Sequence, residues 1–432
     1  MPRYYTDQVC PDRRPATIVV YDGISTGPIF KMEKGTESVV CFINKAKMNN
    51  SVHLHGSYSR APFDGWAEDT TKPGEYKDCY YPNNQTERML WYHDHAIDHT
   101  PENAYFGQAG VYLLHDVAED SLSLPSGPYD IPLVLSAKQY NNDGTLYSPA
   151  ATSLYGDIIH VNSQPWPYFK AEPPKYRFRL LDASISRSFL LYFESTRNLK
   201  SGRSRPQKVQ ELYISMAERY EIGFDFSKYK GKNVTLRNTR GFAFDTDYLH
   251  TNKMMRFVVS GNIVQDRSDM PNALRTIPYP PDMGVVDHHF KFEMTGGRWM
   301  MNGVMFSDVK NRVLAKPARG RVEVWELENS TYHAPWVGVY MFHCHNLIHE
   351  DHKMMATFNV SYIADLGYDE THYIDPMEPR WRAKPQISAD FTDDAITKRI
   401  QFLASSNPTK TTRDEDTKTS MATSQLPTAT EN

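Results

Sequence analysis

Hydrophobic and polar residues alternate along short stretches of this chain. These stretches recur at intervals of roughly ten residues. The stretches are rich in Val, Ile, Tyr, Phe and Trp, and Pro, Gly, Asn and Asp separate them. Alternation with a period of two predicts β-strands, and strands at this spacing are typical of sandwiches or barrels. The clearest predicted strands are ESVVCFIN (37–44), RMLWYHDH (88–95), KYRFRLLDA (175–183), RYEIGFDF (219–226), MRFVVSG (255–261) and RVEVWELEN (321–329). We therefore expect an all-β protein.

Two proline-rich stretches, Ser123–Pro132 and Met270–Gly284, interrupt the strand pattern and are typical of connections between domains. At ~150 residues per domain, a chain of 432 residues has room for about three domains. The predicted domains are 1–122, 123–268 and 269–385, followed by a C-terminal extension, 386–432. Beyond about residue 404 large apolar residues become rare, so we expect disorder there.

Composition excludes several classes of function. A net charge of −4 without a sustained run of Lys and Arg argues against nucleic acid as a partner. There is no apolar run of about 18 residues, so no membrane span is expected. The four cysteines are scattered and form no CxxC pair, which argues against a disulfide framework and a zinc ribbon. They are Cys10, Cys41, Cys79 and Cys344.

Two histidine pairs mark the candidate chemistry. In SVHLHG, His53 and His55 are two residues apart, and in RMLWYHDHA the same spacing separates His93 from His95. Side chains two residues apart on a strand share a face, so each pair can face one metal site. The residue between the two histidines of each pair points the other way.

A third cluster, GVYMFHCHN, combines two imidazoles with a thiol. On a strand, His343 and His345 share one face and Cys344 projects from the opposite face, which predicts two sites on the order of 10 Å apart. His349 and Met354 follow closely. Thiolate, imidazole and a weak thioether are the ligands of blue-copper electron-transfer sites. The cluster therefore indicates two copper centres joined by a short covalent path for electrons.

Each histidine pair on its own is only weak evidence for a metal site. A single HxH pair on a strand is more often a chance or surface arrangement, but two pairs followed by HCHxxxHxxxxM favour a metal. The histidines that stand alone are expected to have capping or surface roles. They are His99, His115, His160, His250, His288 and His372.

Four segments carry a family resemblance: NSVHLHGSYSRAPFDGWAED, LWYHDHAIDHTPENAYFGQAGVYLLHD, ISMAERYEIGFDF and GVYMFHCHNLIHEDHKMMATFNV. The chain resembles the multicopper oxidases, specifically the laccase-like bilirubin oxidase branch of fungi, from about Thr17 to Arg382. The resemblance implies three serial cupredoxin-like (plastocyanin-like) Greek-key β-sandwich domains. It also implies a trinuclear copper cluster between the first and third domains and a type-1 copper in the third.

The resemblance assigns roles to individual residues. His53 would bind the type-2 copper, and Asp64, in FDGW, would relay protons during oxygen reduction. Electrons would pass from type-1 copper through Cys344 to its two histidine neighbours. The type-3 pair would be bound by His55, His93, His95, His343 and His345. The type-1 copper would be bound by Cys344 and His349, with Met354 as its axial neighbour.

One expected motif is missing. The family has a third copper motif, HPxHxH, after a segment like VEVWELEN, but here that segment runs directly into YHAPW. One histidine ligand of each copper type is lost with it, and the third domain is expected to be truncated. The first domain is expected to be shortened at its N terminus. His333, His288 and His289 do not match ligand positions of the family and are not assigned to copper.

The resulting expectation is a copper-dependent oxidoreductase. It would oxidise phenolic or tetrapyrrole donors in one-electron steps, including oxidative coupling of fungal phenolic metabolites, and reduce dioxygen to water. The alternatives are a non-catalytic copper-binding remnant that lacks three ligands, and a zinc-binding structural protein, for which the Cys-His-Met set is a poor site. The resemblance implies a secreted protein, although the first residues show no signal peptide. We expect a monomer.

Overall fold

The structure is a computed structural model with a mostly β chain. It describes residues 16–148, 155–194, 199–201, 206–241, 248–262, 264–276, 283–317, 322–329, 341–343, 345, 347, 354–358 and 376–406. Five residues singled out in the sequence lie outside the described residues: Cys10, His333, Cys344, His349 and His372.

The first sandwich is formed by the N-terminal strands. They are β1 (Phe30–Glu33), β2 (Ser38–Ile43), β3 (Val52–His55), β4 (Glu75–Tyr81), β5 (Arg88–Asp94) and β6 (Ala109–His115), with helix α1 (Thr100–Phe106) before β6. One sheet has the order β1-β6-β5-β3, and β2 pairs antiparallel with β4 in the other. Alternation along β3 buries Val52 and Leu54 in the core, beside Tyr92. Their neighbours His53 and His55 therefore lie on the outer face.

The second sandwich has the largest hydrophobic core among the described residues. Its strands are β7 (Asp130–Lys138), β8 (Ile158–Val161), β9 (Gln164–Pro165), β10 (Tyr168–Ala171), β11 (Lys175–Asp182), β12 (Phe189–Phe193), β13 (Leu199–Ser201), β14 (Gln207–Val209), β15 (Leu212–Ile214), β16 (Arg219–Asp225), β17 (Asn233–Asn238) and β18 (Lys253–Val259). The sheet orders are β14-β13-β16-β11-β7-β8-β9 and β10-β18-β17-β12-β15. Their inner faces bury 23 hydrophobic residues, including Phe178, Phe226 and Phe257. This core is the main apolar support of the molecule.

The third sandwich has six described strands, half as many as the second. They are β19 (His288–Thr295), β20 (Arg298–Met301), β21 (Val313–Ala315), β22 (Trp325–Asn329), β23 (Met341–His343) and β24 (Met355–Phe358). The sheet orders are β20-β19-β22 and β21-β24-β23. Phe290, Phe292, Met301 and Met354 pack between them. Strand β23 brings His343 to the end of this sandwich.

The C-terminal segment, defined as residues 376–406, packs against the first sandwich. Its strand β25 (Lys384–Pro385) pairs antiparallel with β4, and its helix α2 is Asp393–Ser406. The boundary predicted at residue 385 divides this segment, and the predicted domain limits remain predictions. Residues beyond 406, for which we predict disorder, lie outside the described residues.

The predicted strands and the all-β class are confirmed. The six predicted stretches coincide with β2, β5, β11, β16, β18 and β22. Short 3-10 turns occur at Tyr21–Gly23, Ala61–Phe63, Val117–Leu122, Gly127–Tyr129, Ser227–Tyr229 and Ser388–Phe391. None of the described helices has the length and apolar character needed to cross a membrane.

Candidate metal centre

The two histidine pairs of the first sandwich lie side by side on β3 and β5. These strands are antiparallel, and their register places His53 directly opposite His93. The ladder extends past β5, because the amide of His95 donates to the carbonyl of Ser51 at 2.7 Å. The ring of His53 lies 5.3–5.4 Å from the rings of His55, His93 and His95. Both pairs therefore present imidazoles to one place.

Histidines of the third sandwich meet those of the first. The Nε2 atoms of His95 and His343 are 3.1 Å apart. Nε2 of His345 is 3.2 Å from Nδ1 of His55. His343 is held in place by the antiparallel pairing of β23 with β24, in which it lies opposite Met355. The structure thus brings six predicted ligands together at the boundary between two sandwiches.

Backbone carbonyls determine which ring nitrogens carry protons. Nδ1 of His93 lies 2.8 Å from the carbonyl oxygen of Asp94, and Nδ1 of His53 contacts that of Asp64. A carbonyl can only accept, so each Nδ1 donates and each Nε2 keeps its lone pair. Nε2 of His93 is 3.4 Å from Nδ1 of His55. The lone pairs therefore point into the cluster.

Four histidines of the cluster are neutral at pH 7. Burial, followed by the charges of neighbouring imidazoles, lowers the pKa of His55, His93, His95 and His345 well below the ordinary value of 6.5. Neutral imidazole is the form that binds metals.

These residues fit a metal ion. The three cross-ring N···N distances of 3.1–3.4 Å match the separation of roughly 3.3 Å expected for two nitrogens bonded at about 2.0–2.1 Å to one tetrahedral ion. Among the described residues, potential ligand atoms of His53, His55 and His93 also lie within 4.8 Å of one another. Clusters of imidazole suit copper or zinc.

Asp64 lies next to the cluster in the loop after β3. Its Oδ1 is 3.5 Å from Nδ1 of His53. Burial raises the pKa of Asp64, and the contact with His53 partly opposes that effect. The next residue, Gly65, has φ +76°, and a Cβ there would lie 2.6 Å from Cα of His53. Only glycine fits this close approach of loop and strand.

Asp94, between the second pair of histidines, holds the backbone around them. Its carboxylate accepts hydrogen bonds from the amides of Ser51 at 2.7 Å and Ala96 at 3.1 Å, and from Nδ2 of Asn103 at 3.0 Å. These contacts connect the two histidine strands to helix α1. The carboxylate therefore orients ligands without facing the site.

Two residues near the cluster were not predicted. Trp91 stacks on His93 with ring centroids 4.1 Å apart, and Arg219 of β16 donates to the carbonyl of Ala217 at 2.7 Å. Burial lowers the pKa of Arg219 to about 10. Trp91 could have been found, since it is two residues before His93 and shares its face. No sequence signal relates Arg219 to this site.

The candidate type-1 residues are only partly described. Cys344 and His349 lie outside the described residues, and Met354 is fully buried in the core of the third sandwich. The expectation of a surface or capping role for His160 is wrong. His160 is 2% exposed on β8, and its Nε2 lies 3.3 Å from the hydroxyl of Tyr140, because the strand turns this residue inward.

Comparison with known proteins gives consistent matches. Two family models, each described as multicopper oxidase, match residues 4–119 and 331–362. A bilirubin oxidase of Albifimbria verrucaria is 46% identical over 483 residues, covering 94% of this chain and 84% of that protein. A laccase of Bacillus subtilis is 28% identical and covers 76% of this chain and 74% of its own.

Solved structures show the same fold. A multi-copper oxidase from Pediococcus acidilactici matches with a TM-score of 0.70 and 21% identity, covering 82% of this chain and 84% of that chain. A variant of the multicopper oxidase McoA from Aquifex aeolicus matches with a TM-score of 0.69 and 22% identity, covering 77% and 89%. The architecture is a series of cupredoxin-like β-sandwich domains.

Proposed function

The chain belongs to the multicopper oxidases, and from that premise we propose which of its residues bind copper and which donors it oxidises. The family is copper-dependent and uses dioxygen as the electron acceptor. The observation that carries the proposal is the meeting of imidazoles from two sandwiches, His95 with His343 and His55 with His345, at 3.1 and 3.2 Å. Such close contacts between imidazole nitrogens are the arrangement that a shared metal cluster requires.

The proposed ligands divide between a single copper and a pair. His53 binds the type-2 copper. The type-3 pair is bound by His55, His93, His95, His343 and His345. Support comes from the close approach of their nitrogens and from the carbonyl contacts that direct Nε2 of His53 and His93 into the cluster.

Copper bound at these histidines would supply the one-electron chemistry by which four electrons and four protons convert one dioxygen to two waters. The residues of the chain would orient and protonate. Asp64, in contact with His53, is placed to pass protons into the site. Trp91 covers the rings of His93 and His55 and keeps water from that side of the cluster.

A type-1 copper, when bound, would supply the one-electron oxidation of the donor. We propose Cys344, His349 and Met354 as its ligands, with phenolic or tetrapyrrole donors as substrates. The donor classes follow from relatives named bilirubin oxidase and laccase. We also propose that the protein is a secreted monomer. Its proposed partners are a small-molecule electron donor and dioxygen.

A complete oxidase needs ligands that this sequence lacks. It contains no His-Pro-x-His-x-His pattern. The alignment with the bilirubin oxidase spans 483 residues, more than the 432 of this chain, so it includes positions without a counterpart here. We propose that the active oxidase carries a further segment with this motif between Asn329, where β22 ends, and Pro335.

The first experiment sequences the transcript across the codons for Asn329 to Pro335. A message with the added motif is expected, and the complete protein loaded with copper should consume oxygen with bilirubin or 2,6-dimethoxyphenol. The 432-residue chain should bind less copper and consume no oxygen. A message without an added segment contradicts the proposed insertion and favours a copper-binding remnant. Oxygen consumption by the 432-residue chain contradicts the ligand assignment. Absence of oxygen consumption by the complete protein contradicts the oxidase function.

Metal content separates copper from zinc. The purified protein, supplied with equal Cu²⁺ and Zn²⁺, should retain copper, because imidazole sites prefer copper in the general affinity order. Preferential retention of zinc contradicts the proposal.

A further inference from the structure

The loop that follows β3 connects the candidate metal centre to the other end of the chain. We propose that the C-terminal segment (residues 376–406) positions His53 for copper by holding the Asp64 loop, defined as residues 61–69. The role of His53 in copper binding is the one given under the proposed function, on which this inference rests. Trp381 is the positioning residue and does not itself touch the site.

The Asp64 loop lies directly on the strand that carries His53. Nδ1 of His53 donates to the carbonyl of Asp64, which orients the ring. A Cβ on Gly65 would lie 2.7 Å from the carbonyl oxygen of Val52 and 2.6 Å from Cα of His53, so the two backbones are in contact. A movement of the loop by a fraction of an ångström therefore changes the orientation of this imidazole.

The C-terminal segment holds the loop first through an apolar contact. Phe63, immediately before Asp64, is fully buried, and its ring centroid lies 5.5 Å from that of Trp381 at an interplanar angle of 77°. Tyr80 of β4 and Leu403 of α2 complete this cluster. Edge-to-face aromatic pairs at such distances are favourable beyond the area they bury. Without Trp381, Phe63 would lose its partner on one side.

A second contact holds the far end of the loop through charge. The carboxylate of Asp69 is fully buried and pairs with Lys77 of β4. Nε of Arg382 lies 2.8 Å from its other oxygen. A buried carboxylate needs such partners, because an unpaired charge in the interior is strongly destabilising. Arg382 and Trp381 are adjacent in sequence, so one short stretch contacts both ends of the loop.

The segment is itself fixed on the first sandwich. The amide of Gln386 donates to the carbonyl of Gly74 at 2.8 Å, beside the pairing of β25 with β4. The hydroxyl of Tyr76 donates to Asp390 at 3.1 Å. Nε of Arg399 on α2 donates to Asp78 at 2.8 Å. The residues that follow Trp381 are thus held on the first sandwich, which makes it a fixed support for the loop.

The test compares Trp381→Ala with Trp381→Phe in the full chain. Among the residues that the structure describes, the indole N–H of Trp381 has no hydrogen-bond partner, so phenylalanine keeps the ring contact without leaving a new polar group unsatisfied. Ile400→Ala, at an exposed residue of α2, is the matched control. Cu²⁺ alone is titrated into each protein, the spectrum of bound Cu²⁺ is recorded by electron paramagnetic resonance, and amide hydrogen exchange is measured without metal.

Trp381→Ala should lower Cu²⁺ affinity about tenfold or more, as the loss of groups that orient metal ligands does. It should also alter the Cu²⁺ spectrum and speed exchange in peptides covering 52–55 and 61–69, with no change in the second sandwich. Trp381→Phe should restore all three quantities, and Ile400→Ala should match the unaltered chain. If Trp381→Ala fails to fold, Leu403→Ala is tested in its place, because Leu403 belongs to the same apolar cluster.

Faster exchange in the loop with unchanged affinity and spectrum overturns the inference, because the segment would then stabilise without positioning. Unchanged exchange overturns it as well. An unaltered chain that binds no Cu²⁺ contradicts the proposed function instead, and the exchange data still decide whether Trp381 holds the loop.

Discussion

The second sandwich and the boundary between the first and third sandwiches both bury histidine, with different results. In the second sandwich His160 stands alone within a structure built on 23 packed hydrophobic residues, and its ring faces the hydroxyl of Tyr140. At the boundary, rings from two sandwiches face one another through their nitrogens at 3.1 and 3.2 Å. Burial alone therefore does not mark a functional histidine, whereas convergence of several nitrogens does.

The comparison also separates stability from chemistry. The second sandwich contributes apolar burial and supplies none of the proposed ligands, while the boundary contributes ligands and comparatively little apolar packing. Substitutions in the two regions should accordingly affect different measurements.

The largest effect on stability is expected for Phe257→Ala in the second sandwich. Phe257 is fully buried against Phe178, Phe193 and Phe226, and truncating such a ring should lower the free energy of unfolding by about 3–5 kcal/mol. Denaturant titration of the metal-free protein measures the change. The folded fraction should bind as much copper as the unaltered chain, and a loss of copper would show that the two regions are coupled.

The next largest effect is expected on metal binding from His345→Ala. The variant removes the ring that faces Nδ1 of His55 and should weaken Cu²⁺ binding by about a hundredfold, the upper end of losses seen even for residues that only orient ligands. His160→Ala is the matched control and should leave Cu²⁺ binding unchanged. Equal losses in both variants would remove the distinction between the lone histidine and the cluster.

A smaller effect on the free energy of unfolding is expected when the ion pair between the first and third sandwiches is removed. Arg312 donates from both terminal nitrogens to Glu68, at 2.9 and 2.8 Å, and packs on the rings of Phe306 and Trp66. A double-mutant cycle of Glu68→Gln and Arg312→Met should give a coupling energy of about 1–2 kcal/mol. Denaturant titration of the four proteins measures it, and additive changes would show that the pair does not hold the boundary.

The last effect depends on pH and concerns a lysine at the end of β7 in the second sandwich. Burial lowers the pKa of Lys138 from 10.5 to about 7, so above pH 7 the folded protein binds fewer protons than the unfolded chain. The stability of the unaltered chain relative to Lys138→Met should therefore rise from pH 7 to pH 10.5, by a few degrees in unfolding temperature. Lys170→Met, at an exposed residue, is the control. A difference that is constant with pH contradicts the burial of this amine.

Local pattern was sufficient to predict part of the structure. Alternation predicted β5 and β11, and the spacing of two residues predicted that His53 and His55 share a face, because strand geometry is local. Trp91 follows from the same rule.

Long-range contacts could not be predicted in this way. Neither the partner of His95 in the third sandwich nor the return of the C-terminal segment to β4 has a local signal, since both depend on how the sandwiches pack. His160 was misjudged because it was grouped with the other isolated histidines, although Ile158, Ile159 and Val161 beside it are apolar. Arg219 of the second sandwich approaches Gly56, next to His55, through tertiary packing alone.

The most direct test of the central claim is anomalous diffraction at the copper edge from crystals of the copper-loaded chain. The proposed site predicts an anomalous peak within bonding distance of nitrogens of His55 and His345, and density that extends toward His95 and His343. A copper-loaded crystal without a peak between the first and third sandwiches, or with its main peak elsewhere, would contradict the account.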